Sequence, residues 1–497
     1  MRRRDLAALA ALPFIRHARA AEVPRFALGI ASGQPQPERV VLWTRLTGAD
    51  LPAEVGVEWE LADDEAFTRI AARGSETASA ADAHSVHAEP QGLRPGRWYW
   101  YRFRALGQQS VAGRTRTAPA ADASVPRLDF AIASCQRWDQ GHYAAWRHAA
   151  AEDLDLLLFL GDYIYETASP ANALRAHEGG RVSTLAQYRA RYAQYKADPA
   201  LQAAHAACPW LVIWDDHEVD NDYAGLTGQA LQPDFAAQRA AAYQAWWEHM
   251  PVPKAWRPVG GALRIHGHAD WGRLARFLLL DTRQHRDLQA CPRSGRAGSN
   301  TVNGADCPAL LEPQRSLLGE AQERWLAGAW SLDRPWNLLA QQTLMARLSW
   351  ADPAQGARYW TDGWDGYPAA RQRLLQTLVE RRVPGPVVLG GDVHASFVAD
   401  LKPDFDDPRS PTVASEFCGT SISSLGPAQA RVDAALSFNP HLHHGRADQR
   451  GYCRFTLRPG QLQADFRVLA DARDATSAIS TAARFAVAAA QPGAQRA

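Results

Sequence analysis

The sequence predicts an all-β region followed by a larger α/β core. Between residues 24 and 118, short segments rich in aromatic and β-branched residues recur every ten or so positions, with Gly, Pro and Asp between them. After residue 126, uninterrupted apolar runs alternate with helix-length segments, the pattern of a sheet covered on both faces. Several of those runs stop abruptly at an acidic residue, which is where α/β sheets collect ligand-binding groups.

The elements follow in order. The β region holds FALGIASGQP, RVVLWTRL, VGVEWELA, SVHAEPQGL and RWYWYRFRAL. In the last, aromatic and polar residues alternate, as a half-buried strand requires. The region resembles an immunoglobulin- or fibronectin-type sandwich. It concentrates no acids, His or Cys, so it reads as a packing or positioning module. Residues 115–125 are small and Pro-containing and read as a linker. In the core, LDFAIAS, LDLLLFL, WLVIW (210–214), RLARFLLLDTR (273–283), WNLLAQQTLM (336–345) and PVVLGGDVH (386–394) read as strands. Helices are expected over residues 141–152, 185–207, 233–250, 313–330 and 369–381, and further strands near 411–419 and 451–470. The Ala-rich tail, 476–497, reads as a helical cap or a frayed end.

A chain of 497 residues is too long for one ordinary domain, and its net charge of +1 gives no field for nucleic acid or an anionic surface. Residues 1–20 read as a targeting segment. Arg2, Arg3 and Arg4 precede a short apolar run that ends in Ala18-Arg19-Ala20, a small-x-small cleavage site. The Arg cluster points to a twin-arginine signal, with an Arg-rich Sec signal as the alternative. The run is too short to cross a bilayer, so a periplasmic or secreted protein without a stable anchor is expected. Six Cys fit an oxidising compartment. Cys291 and Cys307 bracket a Gly/Ser/Asn-rich loop, and a disulfide between them is expected. Cys208, Cys418 and Cys453 lie in apolar surroundings.

Four strand ends carry the chemistry: Ser134-Cys135, Gly161-Asp162 with Tyr165, Asp215-Asp216-His217-Glu218 with Asp220-Asn221-Asp222, and Gly391-Asp392 with His394. A single acid after a strand is usually a cap or turn residue. Four such ends at one sheet edge would crowd carboxylates, and a multivalent cation resolves their repulsion. Thiolate, phenolate and imidazole suit a transition metal, ferric iron in particular for phenolate. Carboxylates and Asn suit calcium, magnesium or manganese. The mixed set points to two metals about 3.5–4 Å apart with a bridging carboxylate, the apparatus of phosphate-ester hydrolysis.

GDYIYE, WDDHEVDND and LGGDVHAS, together with LLLDTRQHR, LAQQTLM and WDGYPAAR, resemble the PhoD-like alkaline phosphatases, a branch of the calcineurin-like metallophosphatase superfamily. The resemblance covers nearly the whole chain after the signal. It implies a four-layer αββα catalytic domain over residues 126–475 and export by the twin-arginine machinery. It also implies a site with one ferric ion and one or two calcium ions, with manganese or magnesium as alternatives. By this resemblance Asp162 bridges the metals, and Cys135, Tyr165 and His394 bind iron. Asp216 and Asp392 bind the second metal. Asp220 and Asn221 either add calcium ligands or shape the turn. His217 stabilises charge or protonates the leaving group, its alternative being a structural hydrogen bond. Cys135 has a buried thiol as its alternative. Arg137, and less directly Arg283, would hold phosphate oxygens or else pair with site carboxylates. His441, His443 and His444 read as a solvated loop. The expected activity is hydrolysis of phosphate monoesters and diesters, small or polymeric, by a metal-bound hydroxide in a monomeric enzyme. A phosphodiesterase or phospholipase D-like enzyme on lipid or wall polymers is the alternative, and a calcium-binding adhesion protein without catalysis is a third.

Overall fold

The computed structural model describes residues 23–497. The expected signal over residues 1–20 lies outside the described residues.

The core is built on two mixed sheets. In the ten-stranded sheet the parallel strands Leu128–Ala133, Leu156–Phe159 and Trp210–Val212 lie side by side. The seven-stranded sheet centres on parallel strands Ala275–Leu279, Trp336–Ala340, Pro386–Gly390 and Ala414–Cys418. Nearly every residue of these seven strands is buried, and most are apolar, as strands with no solvent side must be. One core cluster joins the two sheets: Phe130 meets Phe277 edge-on at 5.4 Å, and Phe417 meets Phe455 at 5.5 Å. The alternate residues Leu278, Leu339 and Val388 point the other way, to the helices Glu320–Ala329 and Pro368–Arg381. Trp146, Tyr188, Tyr192 and Tyr243 cover the outer face of the first sheet from helices Ala144–Ala149, Leu185–Lys196 and Phe235–His249.

The N-terminal β region divides in two. Strands Glu54–Ala62, Ile70–Ser79, Trp98–Ala105, Gln108–Gln109 and Gly113–Arg116 form a separate five-stranded sheet. Strands Ile30–Gln36, Arg39–Arg45 and Ser85–Ala88 instead extend the ten-stranded sheet of the core, through a parallel bridge at Gly33 and Trp210. Only glycine permits this: a Cβ on residue 33 would lie 2.3 Å from the Pro251 carbonyl oxygen. Residues from both sheets, including Ile30, Leu42, Val57, Tyr101 and Phe103, fill a common core. Trp43 Nε1 donates to the Glu248 carbonyl at 3.0 Å, and His87 stacks on Trp247 at 4.5 Å. The β region is therefore welded to the core and does not hang from a linker.

Three expectations are corrected. The tail forms neither a helix nor a frayed end. It is a hairpin, Ile479–Ala488 and Gln491–Arg496, that pairs with Gln461–Leu469 and ends the ten-stranded sheet. Ala483, Phe485 and Val487 are buried while their neighbours are not, a period of two that the Ala-rich composition hides. The helix expected over 313–330 is shorter, Glu320–Ala329. His443 and His444 sit on a strand, Leu442–Arg446, where His443 pairs with Asp400 at 2.9 Å and His444 packs on Phe466 and Phe485. Cys291 and Cys307 are joined by a disulfide, and Cys135, Cys208, Cys418 and Cys453 are buried free thiols.

Candidate active site

The carboxyl ends of the parallel strands converge. Pairing continues past them: Cys135 N–H donates to the Gly161 carbonyl and Gln136 N–H to that of Asp162, each at 3.1 Å. This sets Cys135 beside Asp162. Gly161 has φ +113°, and a Cβ there would lie 2.4 Å from that of Asp215, so the third strand end closes in only because residue 161 is glycine. Cys135, Asp162, Asp392 and His394 all have φ between +53° and +63°. Non-glycine residues rarely take this conformation, and its cost, about 1–3 kcal/mol each, is met where surroundings impose it.

Two three-residue groups result, each with one ligand atom per residue within 4.8 Å of the others: Cys135, Asp162 and His394, and Asp162, Asp216 and His217. Asp162 belongs to both. Tyr165 joins the first. Its hydroxyl donates to Asp162 Oδ2 at 2.8 Å and lies 3.2 Å from His394 Nε2 and 2.8 Å from Ser424 Oγ. His394 Nδ1 lies 2.8 Å from the Leu425 carbonyl oxygen, which only accepts. That nitrogen therefore carries the proton and Nε2 turns a lone pair to the group, the arrangement of a metal-ligating histidine.

The electrostatics need a cation. Asp162 Oδ1, Asp216 Oδ1 and Asp392 Oδ2 are buried without hydrogen-bond partners, and such orphans are costly. Burial, then the Asp162 charge, pushes the Cys135 thiol and the Tyr165 phenol far above their usual ranges. Burial also drives the Asp392 carboxyl well up, against the opposing Arg283 charge. For Asp216 the Arg283 and His217 charges overcome burial and hold it low. These thiol, phenol, imidazole and carboxylate donors, with their unpaired oxygens, fit bound metal ions: a soft-to-borderline ion among Cys135, Tyr165 and His394, and a hard one towards Asp216 and Asp392. A third group, Asp216, Asp222 and Asp362, has counter-charges already. Arg283 lies 2.8 Å and Arg286 3.2 Å from Asp362, and Arg296 lies 3.4 Å from Asp222.

Two residues that the sequence did not single out orient the site. Glu166 is fully buried; its Oε2 lies 2.7 Å from His217 Nδ1, and its Oε1 accepts Asn221 N–H at 3.2 Å. Burial would lower the His217 pKa, but the charges of Glu166, Asp216 and Asp162 raise it well above its usual value. The Glu166 carboxylate therefore favours a proton on the His217 ring, which also lines the cleft. Ser424 Oγ meets Tyr165, donates to the Cys135 carbonyl at 2.8 Å and accepts Arg137 N–H at 3.1 Å. Glu166 ends the quoted GDYIYE run, so a second buried acid there was the available signal. Nothing local marks Ser424.

Asp162, Asp216, His217, Asn221, Asp392 and His394 line one open cleft of about 360 Å³. Two expected phosphate holders do not. Arg137 turns aside to Asp139 at 2.7 Å and Thr167 at 3.1 Å, behind the Tyr165 ring. Arg283 is 2 % exposed and clamped between Asp215 at 2.5 Å and Asp362. Both carry charge that the interior already uses. Asp220 is likewise spent, on Arg181 and on Gln229 N–H, so it shapes the turn. Replacing Arg283 with Met should strand buried Asp215, whereas Asp362 keeps Arg286. A loss of about 3–5 kcal/mol is expected, read from the urea unfolding midpoint.

The lining of the cleft also includes Thr301 and Trp360, from the paired strands Thr301–Asn303 and Arg358–Trp360. The Cys291–Cys307 disulfide brackets the first of them. A Cys291→Ser, Cys307→Ser protein should lose roughly 2–4 kcal/mol of stability, the range for a loop of this size. It should also become cleavable within residues 292–306 by a protease that spares the parent, read by urea unfolding and by peptide mapping.

A PhoD-like phosphatase domain model matches residues 130–466, and its N-terminal domain model matches residues 10–119. The chain belongs to the PhoD-like phosphatase family. It is 43% identical over 478 residues to alkaline phosphatase D of Bacillus subtilis (strain 168), covering 93% of this chain and 80% of that relative. The solved structure of PhoD superposes with a TM-score of 0.90 at 41% identity, covering 96% of this chain and 93% of that one. The chain is accordingly a phosphoric ester hydrolase of the alkaline phosphatase D type. No helix among the described residues is long and apolar enough to cross a membrane.

Proposed function

We propose that the protein is an exported phosphatase that hydrolyses phosphate monoesters and diesters at an iron–calcium site. It does so on a four-layer αββα core whose first sheet the N-terminal β strands extend. The single observation that carries the reading is Asp162 standing in two adjacent ligand groups of unlike chemistry. Cys135, Tyr165 and His394 would hold iron with Asp162, and Asp216, Asn221 and Asp392 would hold calcium with it. Bound there, the ions would offset charge on the phosphoryl oxygens and lower the pKa of water, so that hydroxide would be available as the nucleophile. The remaining work falls to the chain. Asp162 fixes the spacing of the two groups. The Leu425 carbonyl holds the His394 tautomer. Glu166 holds the Nδ1 proton of His217, which leaves Nε2–H to give its own proton to the departing ester oxygen. Export by the twin-arginine route rests on the Arg-rich first twenty residues.

The test is metal analysis of protein purified without added metal, beside its visible spectrum and its activity on p-nitrophenyl phosphate and the bis ester. Iron with calcium, a phenolate charge-transfer band and hydrolysis of both esters are expected. A colourless, iron-free and fully active protein would overturn the metal assignment.

A further inference from the structure

The metal-facing residues share the cleft with a second set of side chains. Trp350, Trp360, Pro427 and Arg431 also line it. Arg431 lies on the helix Gln429–Leu436, and its guanidinium stacks 4.2 Å above the Trp350 ring. Among the described residues no carboxylate lies within ion-pair distance of it. Asp433, two residues on, accepts from Gln429 at 2.7 Å. This separates Arg431 from Arg137 and Arg283, which are consumed by Asp139, Asp215 and Asp362. The cleft therefore offers an exposed guanidinium outside any ion pair, held over the Trp350 ring, with a second indole, Trp360, in the same lining.

From this we infer that the Trp350–Trp360–Arg431 wall is the leaving-group subsite, and that it selects phosphate esters whose leaving group carries a ring and a second anionic group. The inference rests on the phosphatase reading above. Each part of the wall has one chemical use. A guanidinium grips phosphate or carboxylate through parallel N–H donors and is always charged. Indole faces take up planar rings by stacking, largely regardless of which ring. Stacking on Trp350 already limits the motion of Arg431, so less freedom is lost when an anion arrives. A nucleoside bisphosphate is the simplest molecule with all the required parts. Its scissile phosphate would sit among Asp162, Asp216, Asp392 and His394, its ring against the indoles, and its second phosphate at Arg431. The reaction is ordinary hydrolysis. A water oxygen bonds to phosphorus, the ester P–O bond breaks with its electron pair staying on the leaving oxygen, and that oxygen takes a proton from His217. The proton lost by water passes to solvent.

The test compares kcat/KM of the intact, metal-loaded protein on adenosine 3′,5′-bisphosphate, adenosine 5′-monophosphate and glycerol 1-phosphate. The parent should prefer the bisphosphate over the monophosphate by about tenfold, the worth of one charge-assisted contact. It should also prefer the monophosphate over glycerol phosphate. Arg431→Met, which keeps the apolar stem over Trp350, should abolish the first preference, chiefly through KM. Trp350→Ala should abolish the second. Parent selectivity ratios near one, or ratios unchanged in both variants, would overturn the subsite. Failure of the parent to hydrolyse any of the three would instead overturn the monoester part of the proposed function, on which the subsite rests.

Discussion

An Asp162→Asn protein is expected to lose both bound metals and hydrolysis together. Asparagine keeps the shape of the side chain but removes the charge and leaves one oxygen where two were. Asp162 Oδ2 already meets the Tyr165 hydroxyl at 2.8 Å, and Oδ1 has no partner. Oδ2 thus lies with Tyr165 and His394, 3.9 Å from His394 Nε2, while Asp162 also belongs to the group of Asp216 and His217. An amide can serve only one of these two groups as an acceptor. Outer partners of metal ligands typically cost 10–100-fold in affinity or activity when lost, so a ligand shared by two ions should cost at least about 10²-fold. Elemental analysis and kcat/KM on p-nitrophenyl phosphate read this. Retention of full metal content with full activity would rule out a bridging role. The fold should survive, because the Asp162 backbone keeps its bonds to Gln136 and Glu218.

Glu166→Gln should move the alkaline limb of activity to lower pH. Burial would strip the proton from His217, and the Glu166 charge is the largest force keeping it there. The protonated ring is the one that can release a proton to a leaving group, so activity must fall as pH rises through the raised value. Removing the Glu166 charge lowers that value, and the fall then begins earlier. At alkaline pH kcat/KM should drop by up to about 10²-fold, while at acidic pH the loss should be small. The sign for stability is the same. A raised histidine stabilises fully below its unfolded value of 6.5, and that contribution disappears as pH rises through the folded one. A purely structural His217–Glu166 contact would shift stability but leave the pH–rate limb of the substituted protein where it was.

How much of the site was legible depended on where its determinants lie. Cys135, Asp162, Tyr165, Asp216, His217, Asp392 and His394 each follow an apolar run, and that position is visible locally. Their convergence was an inference from several runs ending alike. The roles of arginines were not legible. Arg137 and Arg283 stand beside site residues in sequence, yet each is bound to carboxylates that only the folded chain brings near. Arg431, which does reach the cleft, sits 37 residues beyond His394 in a segment with no motif.

The sequence by itself determined the strands of the core, the chemistry at their ends and the family, because apolar run length, terminal Gly-Asp pairs and donor type are local properties. Tertiary structure decided the rest. It made part of the N-terminal β region an extension of the catalytic sheet, since a side chain on residue 33 would collide with Pro251. It turned the Ala-rich tail into a hairpin, since the open edge at Gln461–Leu469 supplied unpaired backbone groups for it. It also assigned each charge to its partner, because electrostatic pairing depends on separation in space, and separation along the chain carries almost none of that information.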